Sequence, residues 1–225
     1  CSAVISACEK GHQWQGALAI LNEMWRVSLV PDTITYSAAI SACEKLNEWQ
    51  VALEMLEEMQ ERDLEPNVIT YNSAISACEK PGEWERALWL WTAMQDKHLV
   101  PDVITYNGVI SACEKGKQPE RGSELFKAMQ RQALPADVVT YSALISTCKE
   151  GKEPARAFEF FEAMQRDGLA PDLIAYNAVL SACAAGEHPE RSLELFETLR
   201  RQGLVPNAIT YSASISACEK GHNWQ

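Results

Sequence analysis

The sequence has no long apolar run. None of its 225 residues belongs to an uninterrupted apolar stretch approaching the roughly 18 residues needed to cross a bilayer. Low-complexity segments and the composition changes that mark a linker are also absent. We therefore expect no membrane partner and no flexible boundary inside the chain.

The sequence also lacks the residue arrangements of a catalytic or metal site. Its four histidines have no serine, cysteine or carboxylate at catalytic spacing, and no glycine-rich phosphate-binding loop is present. No Cys-x-x-Cys pair or histidine cluster supplies the ligand spacing of a zinc site. We predict that the chain is not an enzyme and has no catalytic residues, no metal, no cofactor and no small-molecule substrate.

Positive charge is scarce. The chain has 20 Lys and Arg against 31 Asp and Glu, which gives a net charge of −11. Proteins that bind nucleic acid without sequence preference depend on the opposite balance. We expect the surplus acid to lie on an outer surface, so that any binding of nucleic acid depends on its sequence.

What the sequence does contain is a repeat of 35 residues. Six tyrosines and seven of the eight cysteines recur at this interval, as does a proline near the end of most units. The tyrosines are Tyr36, Tyr71, Tyr106, Tyr141, Tyr176 and Tyr211, and the cysteines are Cys8, Cys43, Cys78, Cys113, Cys148, Cys183 and Cys218. A fixed period of this size is typical of a solenoid, in which each unit buries its apolar face against its neighbours.

The prolines set the boundaries of the units. Counting each repeat from two residues after the proline gives complete repeats 33–67, 68–102, 103–137, 138–172 and 173–207. Residues 1–32 and 208–225 are partial repeats. We predict a single repeat array over residues 1–225, and we expect it to be a fragment of a longer protein.

Each repeat has two helical patterns, at residues 33–46 and 48–62 in the first complete unit. The predicted apolar positions are Tyr36, Ala39, Ile40 and Cys43 in the first helix and Trp49, Ala52, Leu53, Leu56 and Met59 in the second. Ile34, Ser37, Ser41 and Lys45 fall on a mostly polar opposite face of the first helix. A glycine follows most first helices and suits a helix C-cap. Two helices per unit and no strand pattern predict an all-α fold, an α-solenoid of helix-turn-helix repeats.

The recurring cysteines are spaced too widely to be paired. Equivalent residues of neighbouring repeats should lie roughly 8–10 Å apart, one helix-packing distance. A disulfide requires α-carbons within about 7 Å. We interpret the cysteines as small buried helix residues.

A helix pair that carries Ile-Thr-Tyr-Asn-Ser-Ala-Ile-Ser-Ala-Cys-Glu-Lys and closes with Leu-Glu-Pro-Asn or Leu-Val-Pro-Asp resembles the pentatricopeptide repeat. The resemblance covers the whole chain, and the uniform unit length is similar to the pure-repeat subclass of that family. The tetratricopeptide repeat, with its shorter period and Trp-x-x-Leu-Gly start, does not fit. The resemblance implies a right-handed superhelix.

The resemblance also implies that each repeat binds one base of single-stranded RNA. In the family, the first recognition residue follows the tyrosine and the second is the last residue of the unit. The first recognition residues are Ser2, Ser37, Asn72, Asn107, Ser142, Asn177 and Ser212, and the second are Asp32, Asn67, Asp102, Asp137, Asp172 and Asn207. Helix capping and a solvated helix position remain alternative interpretations. The alternation of residue types at these two positions, among otherwise uniform repeats, favours recognition.

Two further sets of residues follow from the resemblance. Aliphatic residues that enclose each base would be Ile34, Ile69, Ile104, Val139, Ile174 and Ile209. Lysines that contact phosphates would be Lys10, Lys45, Lys80, Lys115 and Lys220, with the pattern broken at Glu150 and Ala185. A favourable charge at the helix C-terminus is the alternative interpretation of the lysines.

The family code predicts an RNA target. Ser or Thr with Asp favours G, Ser or Thr with Asn favours A, Asn with Asp favours U, and Asn with Asn favours C. The six pairs from Ser2–Asp32 to Asn177–Asn207 give 5′-GAUUGC-3′, and the core A-U-U belongs to repeats 33–137.

The resemblance implies a role in organellar RNA processing, stability, splicing or translation, in the mitochondrion or the chloroplast. The alternative is a protein-binding α-solenoid scaffold, because helical solenoids commonly present concave surfaces to protein partners. The acidic charge favours the scaffold, and the alternation at the recognition positions favours RNA.

Overall fold

The computed structural model describes residues 14–44, 48–150, 153–186 and 188–220. These residues form twelve α-helices and no β-strand, which confirms the predicted all-α fold. The helices are α1 (Trp14–Arg26), α2 (Thr33–Glu44), α3 (Trp49–Glu61), α4 (Val68–Glu79), α5 (Trp84–Asp96), α6 (Val103–Lys115), α7 (Pro119–Arg131), α8 (Val138–Glu150), α9 (Pro154–Arg166), α10 (Leu173–Gly186), α11 (Pro189–Arg201) and α12 (Ala208–Lys220). Even-numbered helices are the first helices of the repeats, and odd-numbered helices are the second. Each described helix is too short or too polar to cross a membrane.

The chain divides into two compact units between Gly116 and Lys117. In the first unit, α4 packs against both α2 and α6, and the second helices α3 and α5 each lie against the first helices before and after them. In the second unit, α10 packs against α8 and α12, and α9 and α11 lie against the same layer in the same way. Within each unit, the first helices therefore form a continuous layer that the second helices cover.

The first helices are more deeply buried than an amphipathic helix requires. Tyr36, Ile40 and Cys43 are fully buried as predicted. The prediction that Ser37 lies on an open polar face is wrong, since Ser37 is only 9% exposed. Its hydroxyl lies 2.7 Å from that of Thr70 in the next first helix, because neighbouring first helices pack directly on one another.

The second helices bury one side only. In α3 the buried residues are Ala52, Met55, Leu56 and Met59. Three of these were predicted, whereas Met55 was not, and the predicted Leu53 is half-buried. The buried stripe follows α2 and α4, the two helices against which α3 packs.

The glycine at the end of α6 does not form a left-handed cap. Gly116 has a φ of −77°, an ordinary helical value. A Cβ at this position would collide with the ring of Trp84 at the start of α5, and one at Gly186 would collide with Pro154 at the start of α9. Gly116 is therefore the C-cap residue of α6, as predicted, but with a helical rather than a left-handed backbone. Its lack of a side chain also permits the close approach of the second helix of the preceding repeat.

Left-handed residues end the described second helices, and Gly82 and Lys117 also have positive φ after the first helices α4 and α6. The residues with positive φ after α1, α3, α5, α7, α9 and α11 are Ser28, Asp63, His98, Ala133, Gly168 and Gly203. The next amide bonds back to the helix, as where Leu64 N–H donates to the Met59 carbonyl at 3.0 Å. This geometry is a common helix C-cap, here formed mostly without glycine.

The six described cysteines lie in the first helices as free thiols, and Cys1 and Cys8 lie outside the described residues. Cys43, Cys78, Cys113, Cys148 and Cys183 are buried, and Cys218 is half-buried. Burial raises the pKa of the Cys78 thiol to about 12. These residues therefore serve as small apolar packing groups.

Candidate nucleic-acid interface

The second residue of every described first helix exposes an aliphatic side chain. These residues are Ile34, Ile69, Ile104, Val139, Ile174 and Ile209, between 55% and 68% exposed. Each one immediately precedes a buried residue and stands two positions before the tyrosine. A regular row of exposed branched side chains is unusual on a protein surface and indicates a contact surface.

The second recognition residues cap the first helices. The side chain of Asp102 accepts a hydrogen bond from the Thr105 N–H at 2.8 Å, and that of Asn67 accepts one from the Thr70 N–H at 3.0 Å. The same cap forms at Asp32, Asp137, Asp172 and Asn207. These residues therefore cap the first helices. Because the cap uses only Oδ1, the other side-chain atom, Oδ2 of Asp or Nδ2 of Asn, is available to other partners.

The two recognition residues are neighbours in space in repeats 68–102 and 173–207. Asn72 Nδ2 donates to Asp102 Oδ1 at 3.1 Å, although the residues are 30 positions apart. Asn177 Nδ2 lies 3.4 Å from Asn207 Oδ1 in the second unit. The contact forms because the last residue of a repeat begins the next first helix, which packs against the helix that carries the first recognition residue.

Burial differs among the first recognition residues. Ser37 and Ser142 are each 9% exposed, whereas Asn72, Asn107 and Asn177 are half-buried. Ser212 on α12 is exposed, and Ser2 lies outside the described residues. The serines thus leave more space above the first-helix layer than the longer asparagines do.

A threonine that we did not single out from the sequence contacts the first recognition residue in repeats 68–102 and 173–207. It is the third residue of the first helix and is fully buried at Thr70, Thr105, Thr140 and Thr210. The Thr105 hydroxyl donates to Asn72 Oδ1 at 2.6 Å, which links the threonine to the preceding repeat. Its recurrence immediately before the tyrosine was visible in the sequence, but its partner 33 residues away was not.

Repeat 138–172 departs from this arrangement. Ala175 occupies the threonine position of the next helix, and its N–H still donates to Asp172 Oδ1 at 2.8 Å. The buried Ser142 hydroxyl has no hydrogen-bond partner in the described part of the chain. The cap is therefore retained here, while the link between the two repeats is lost.

The recognition carboxylates Asp32 and Asp102 are ionised at neutral pH. Hydrogen bonds from Thr35 hold the pKa of the Asp32 carboxyl below its ordinary value. Burial acts to raise the pKa of the Asp102 carboxyl, but hydrogen bonds from Thr105 and Asn72 outweigh it and the pKa is lowered. An ionised carboxylate only accepts hydrogen bonds, so each of these groups favours a ligand atom that donates.

The predicted phosphate-contacting lysines are described in part. Lys80 and Lys115 are exposed at the ends of α4 and α6, and Lys115 Nζ lies 3.2 Å from Glu114. Lys10, Lys45 and the side chain of Lys220 lie outside the described residues. On the second helices, exposed acids are frequent at Glu54, Glu57, Glu61, Glu85, Glu120, Glu124, Glu159, Glu162, Glu190, Glu194 and Glu197.

Models of the pentatricopeptide repeat match most of the chain. The PPR repeat family matches residues 31–80, 66–115 and 171–220. A pentatricopeptide repeat domain matches residues 124–187, and the PPR repeat matches residues 1–29 and 104–133. A search of curated proteins found no match.

Solved structures with a similar fold come from the same group of proteins. The pentatricopeptide repeat protein PPR10 from maize superposes with a TM-score of 0.72 at 24% identity, over 97% of this chain and 31% of that one. PPR10 in complex with an 18-nt psaJ RNA element gives a TM-score of 0.69 at 21% identity, over 96% of this chain and 35% of that one. The PPR domain of Arabidopsis thaliana protein-only RNase P 1 in complex with tRNA gives 0.70 at 16% identity, over 80% of this chain and 95% of that one. The chain thus spans about a third of the length of PPR10.

Proposed function

Because the chain belongs to the pentatricopeptide repeat family, we propose that it binds single-stranded RNA in a sequence-specific manner, with one base for each repeat. Two of the structures that share its fold are complexes with RNA, which supports RNA as the ligand class. The proposed role is binding rather than catalysis.

The observation that carries this proposal is the pairing of the two recognition residues beside an exposed aliphatic side chain. Asn72 and Asp102 are in hydrogen-bond contact, and Ile69 and Ile104 are exposed on the two first helices that carry them. An aliphatic side chain packs against the face of a base, whereas amide and carboxylate groups bind its edge. The repeating arrangement supplies both kinds of contact at the same place.

The chemistry of the second recognition residue fits the family code. Uracil and guanine present a ring N–H on their Watson–Crick edge, and a carboxylate such as Asp102 can accept it. Cytosine and adenine present an unprotonated ring nitrogen there, and the Asn67 amide can donate to it. Asp should therefore favour U or G, and Asn should favour C or A.

The burial of the first recognition residue fits the code as well. Ser37 and Ser142 are nine-tenths buried and leave room for the larger purines. Asn72 and Asn177 are longer and only half-buried, which leaves room for a pyrimidine. We therefore propose the target 5′-GAUUGC-3′, in which A-U-U is bound by repeats 33–137.

We further propose that this binding takes place in the mitochondrion or the chloroplast, in the processing, stability, splicing or translation of a transcript. The family resemblance supports this setting. Localising the full-length protein by microscopy and sequencing the RNA that copurifies with it would test the proposal, which fails if the protein is found outside both organelles.

Selection from a random RNA pool tests the binding proposal directly. We expect the pool to be enriched in A-U-U. Asn72→Ser should change the third base from U towards G, and Asp102→Asn should change it from U towards C, each with roughly 1–3 kcal/mol of discrimination by analogy with direct base contacts. Two substitutions at one pair thus predict two different bases.

A matched control lies on the second helix of the same repeat. Thr92 is exposed on α5 and distant in sequence from both recognition residues, so Thr92→Ser should leave the selected base unchanged. If no motif is enriched, or if Asn72→Ser and Asp102→Asn leave the third base unchanged, the RNA proposal fails. Equal binding of random RNA and heparin would likewise favour the protein-binding scaffold.

A further inference from the structure

We propose that the threonine at the third position of each first helix is a positioning residue, which sets the orientation of the first recognition side chain in the preceding repeat. The inference rests on the proposed recognition of bases and extends it to a third residue per site. The proposed positioning residues are Thr70, Thr105 and Thr210. Ala175 occupies the equivalent position after repeat 138–172 and has no hydroxyl, so the recognition side chain of that repeat, Ser142, is not positioned in this way.

The hydrogen bonds around Thr105 determine where its single hydroxyl proton goes. The hydroxyl accepts from the Asp102 N–H at 3.1 Å, and it has two possible acceptors, Asn72 Oδ1 at 2.6 Å and Asp102 Oδ1 at 2.9 Å. Asp102 Oδ1 already accepts from the Thr105 N–H and from Asn72 Nδ2. The proton is therefore best placed on the shorter contact, to Asn72.

This proton fixes the orientation of the Asn72 amide. Oδ1 is directed towards the Thr105 hydroxyl, and Nδ2 is directed towards the Asp102 carboxylate. A flipped amide would place two oxygens together at Asp102, because an ionised carboxylate has no proton to donate. One donor and one acceptor of known direction are thus presented to the base.

The same direction of donation holds at a serine. Ser37 Oγ donates to the Thr33 carbonyl at 2.8 Å, so its own proton is used within the helix. The 2.7 Å contact to Thr70 must then be a donation from Thr70 to Ser37. The second unit repeats the asparagine case, with Thr210 donating to Asn177 Oδ1 at 2.6 Å.

At Ala175, the helix cap is kept while the proposed positioning contact is missing. The Asp172 side chain caps its helix as the other second recognition residues do, yet the Ser142 hydroxyl is 9% exposed and lacks a partner among the described residues. Nothing in the described part of the chain directs that hydroxyl. We therefore expect the pair Ser142–Asp172 to discriminate between bases less sharply than the pairs that contact a threonine.

The experiment compares Thr105→Val, Thr105→Ser and Ala175→Thr with the unchanged chain. Each protein is titrated with four RNAs that differ only at the base assigned to Asn72–Asp102, and with four that differ only at the base assigned to Ser142–Asp172. Thr105→Val keeps the branched shape but removes the hydroxyl, and it should reduce the preference for U about 2-fold to 10-fold, the range of one net hydrogen bond. Thr105→Ser should retain the preference. Ala175→Thr should sharpen the preference at the other site by a similar factor.

Thr35→Val is the matched control for loss of the hydroxyl beside the helix cap. The Thr35 hydroxyl lies 2.5 Å from Asp32 Oδ1, as the Thr105 hydroxyl lies 2.9 Å from Asp102 Oδ1, and Thr35 belongs to a different repeat from the Asn72–Asp102 pair. It should lower stability to a similar extent and leave the preference at the third base unchanged. In the RNA-free protein, the NMR order parameter of the Asn72 side-chain amide should fall in Thr105→Val and recover in Thr105→Ser.

The outcomes separate this inference from the function on which it rests. If the unchanged chain shows no preference for any base, the proposed function is wrong, and the positioning role, which depends on that function, is wrong as well. A base preference that survives Thr105→Val unchanged, with an equally ordered Asn72 amide, overturns the positioning role alone. An equal loss of third-base preference in Thr35→Val would also overturn it, because the effect would then follow from stability.

Discussion

The first and second helices pack by different means. First helices contact one another directly, and a Cβ added at Gly108 in α6 would lie only 2.9 Å from Ile75 Cγ2 in α4. Neighbouring second helices meet through long side chains. The Arg62 guanidinium, just after α3, lies 3.8 Å from the ring of Trp25 in α1, and that of Arg191 in α11 lies 4.3 Å from the ring of Phe158 in α9.

The difference explains where the chain tolerates variation. Close packing leaves no space for larger residues within the first-helix layer, so its sequence is nearly uniform apart from the recognition positions. The second helices are free on their outer side and carry the surplus acid there. A substitution should therefore have very different effects in the two layers.

The largest contrast is expected for aromatic residues. Tyr71 is fully buried in α4, and Tyr71→Ala should reduce the free energy of unfolding by about 3–5 kcal/mol, the usual effect of deleting a buried aromatic ring. Trp89 in α5 is 48% exposed, and Trp89→Ala should reduce it by about 1 kcal/mol or less. Urea unfolding measures both, and equal losses would contradict the distinction between the layers.

Glycine substitutions sharpen the same comparison. Gly108→Val would force a branched side chain against the buried Ile75, with an expected destabilisation of about 1–3 kcal/mol. A Cβ at Gly122 in α7 would meet only Leu144 Cδ2, at an ordinary 3.6 Å. Gly122→Ala should therefore stabilise the protein by about 0.5–1 kcal/mol through helix propensity. Thermal melting measures both changes. Gly108→Val should lower the melting temperature and Gly122→Ala should raise it, and a shift in the same direction for both would contradict the comparison.

The smallest contrast concerns charge. Lys80 and Lys115 follow or end first helices, and changing both to Ala should weaken all single-stranded RNAs alike and reduce the salt dependence of log K by up to about 1.4. Lys127 and Arg131, exposed on α7, are the matched pair on a second helix, and changing both to Ala should leave the salt dependence unaltered. Filter binding at several salt concentrations makes the measurement. An unchanged slope in the first variant would assign Lys80 and Lys115 to helix capping instead.

The repeat and its helices were predictable because they depend on local spacing. The predicted helix at 33–46 is observed as Thr33–Glu44, and the fully buried Tyr36 marks the correct face. The burial of Ser37 was not predictable from one helix, because it results from a second helix in the next repeat. The sequence alone also could not show that Gly116 accommodates Trp84, since the two residues are brought together only by packing.

Only part of the proposed recognition site was predictable from the sequence. The family resemblance predicts both members of each pair, and their role in base recognition stays a prediction. The threonine link spans 33 residues, and no local period reveals it. Left-handed caps were missed for a related reason. Ala133, for example, has no intrinsic preference for positive φ, and the preceding helix imposes it.

The contact between Asn72 and Asp102 across a repeat boundary has a consequence for recombination. Under the proposed code, the preference for the third base would be encoded by a segment that begins with Asn72 in one first helix and ends at Thr105 in the next, so it would be out of phase with the 35-residue repeat. A crossover between helices of the same repeat would join the recognition residues of two parents and create a hybrid preference. A crossover just after Thr105 would transfer a preference intact, and this is where we expect exchangeable cassettes to be cut.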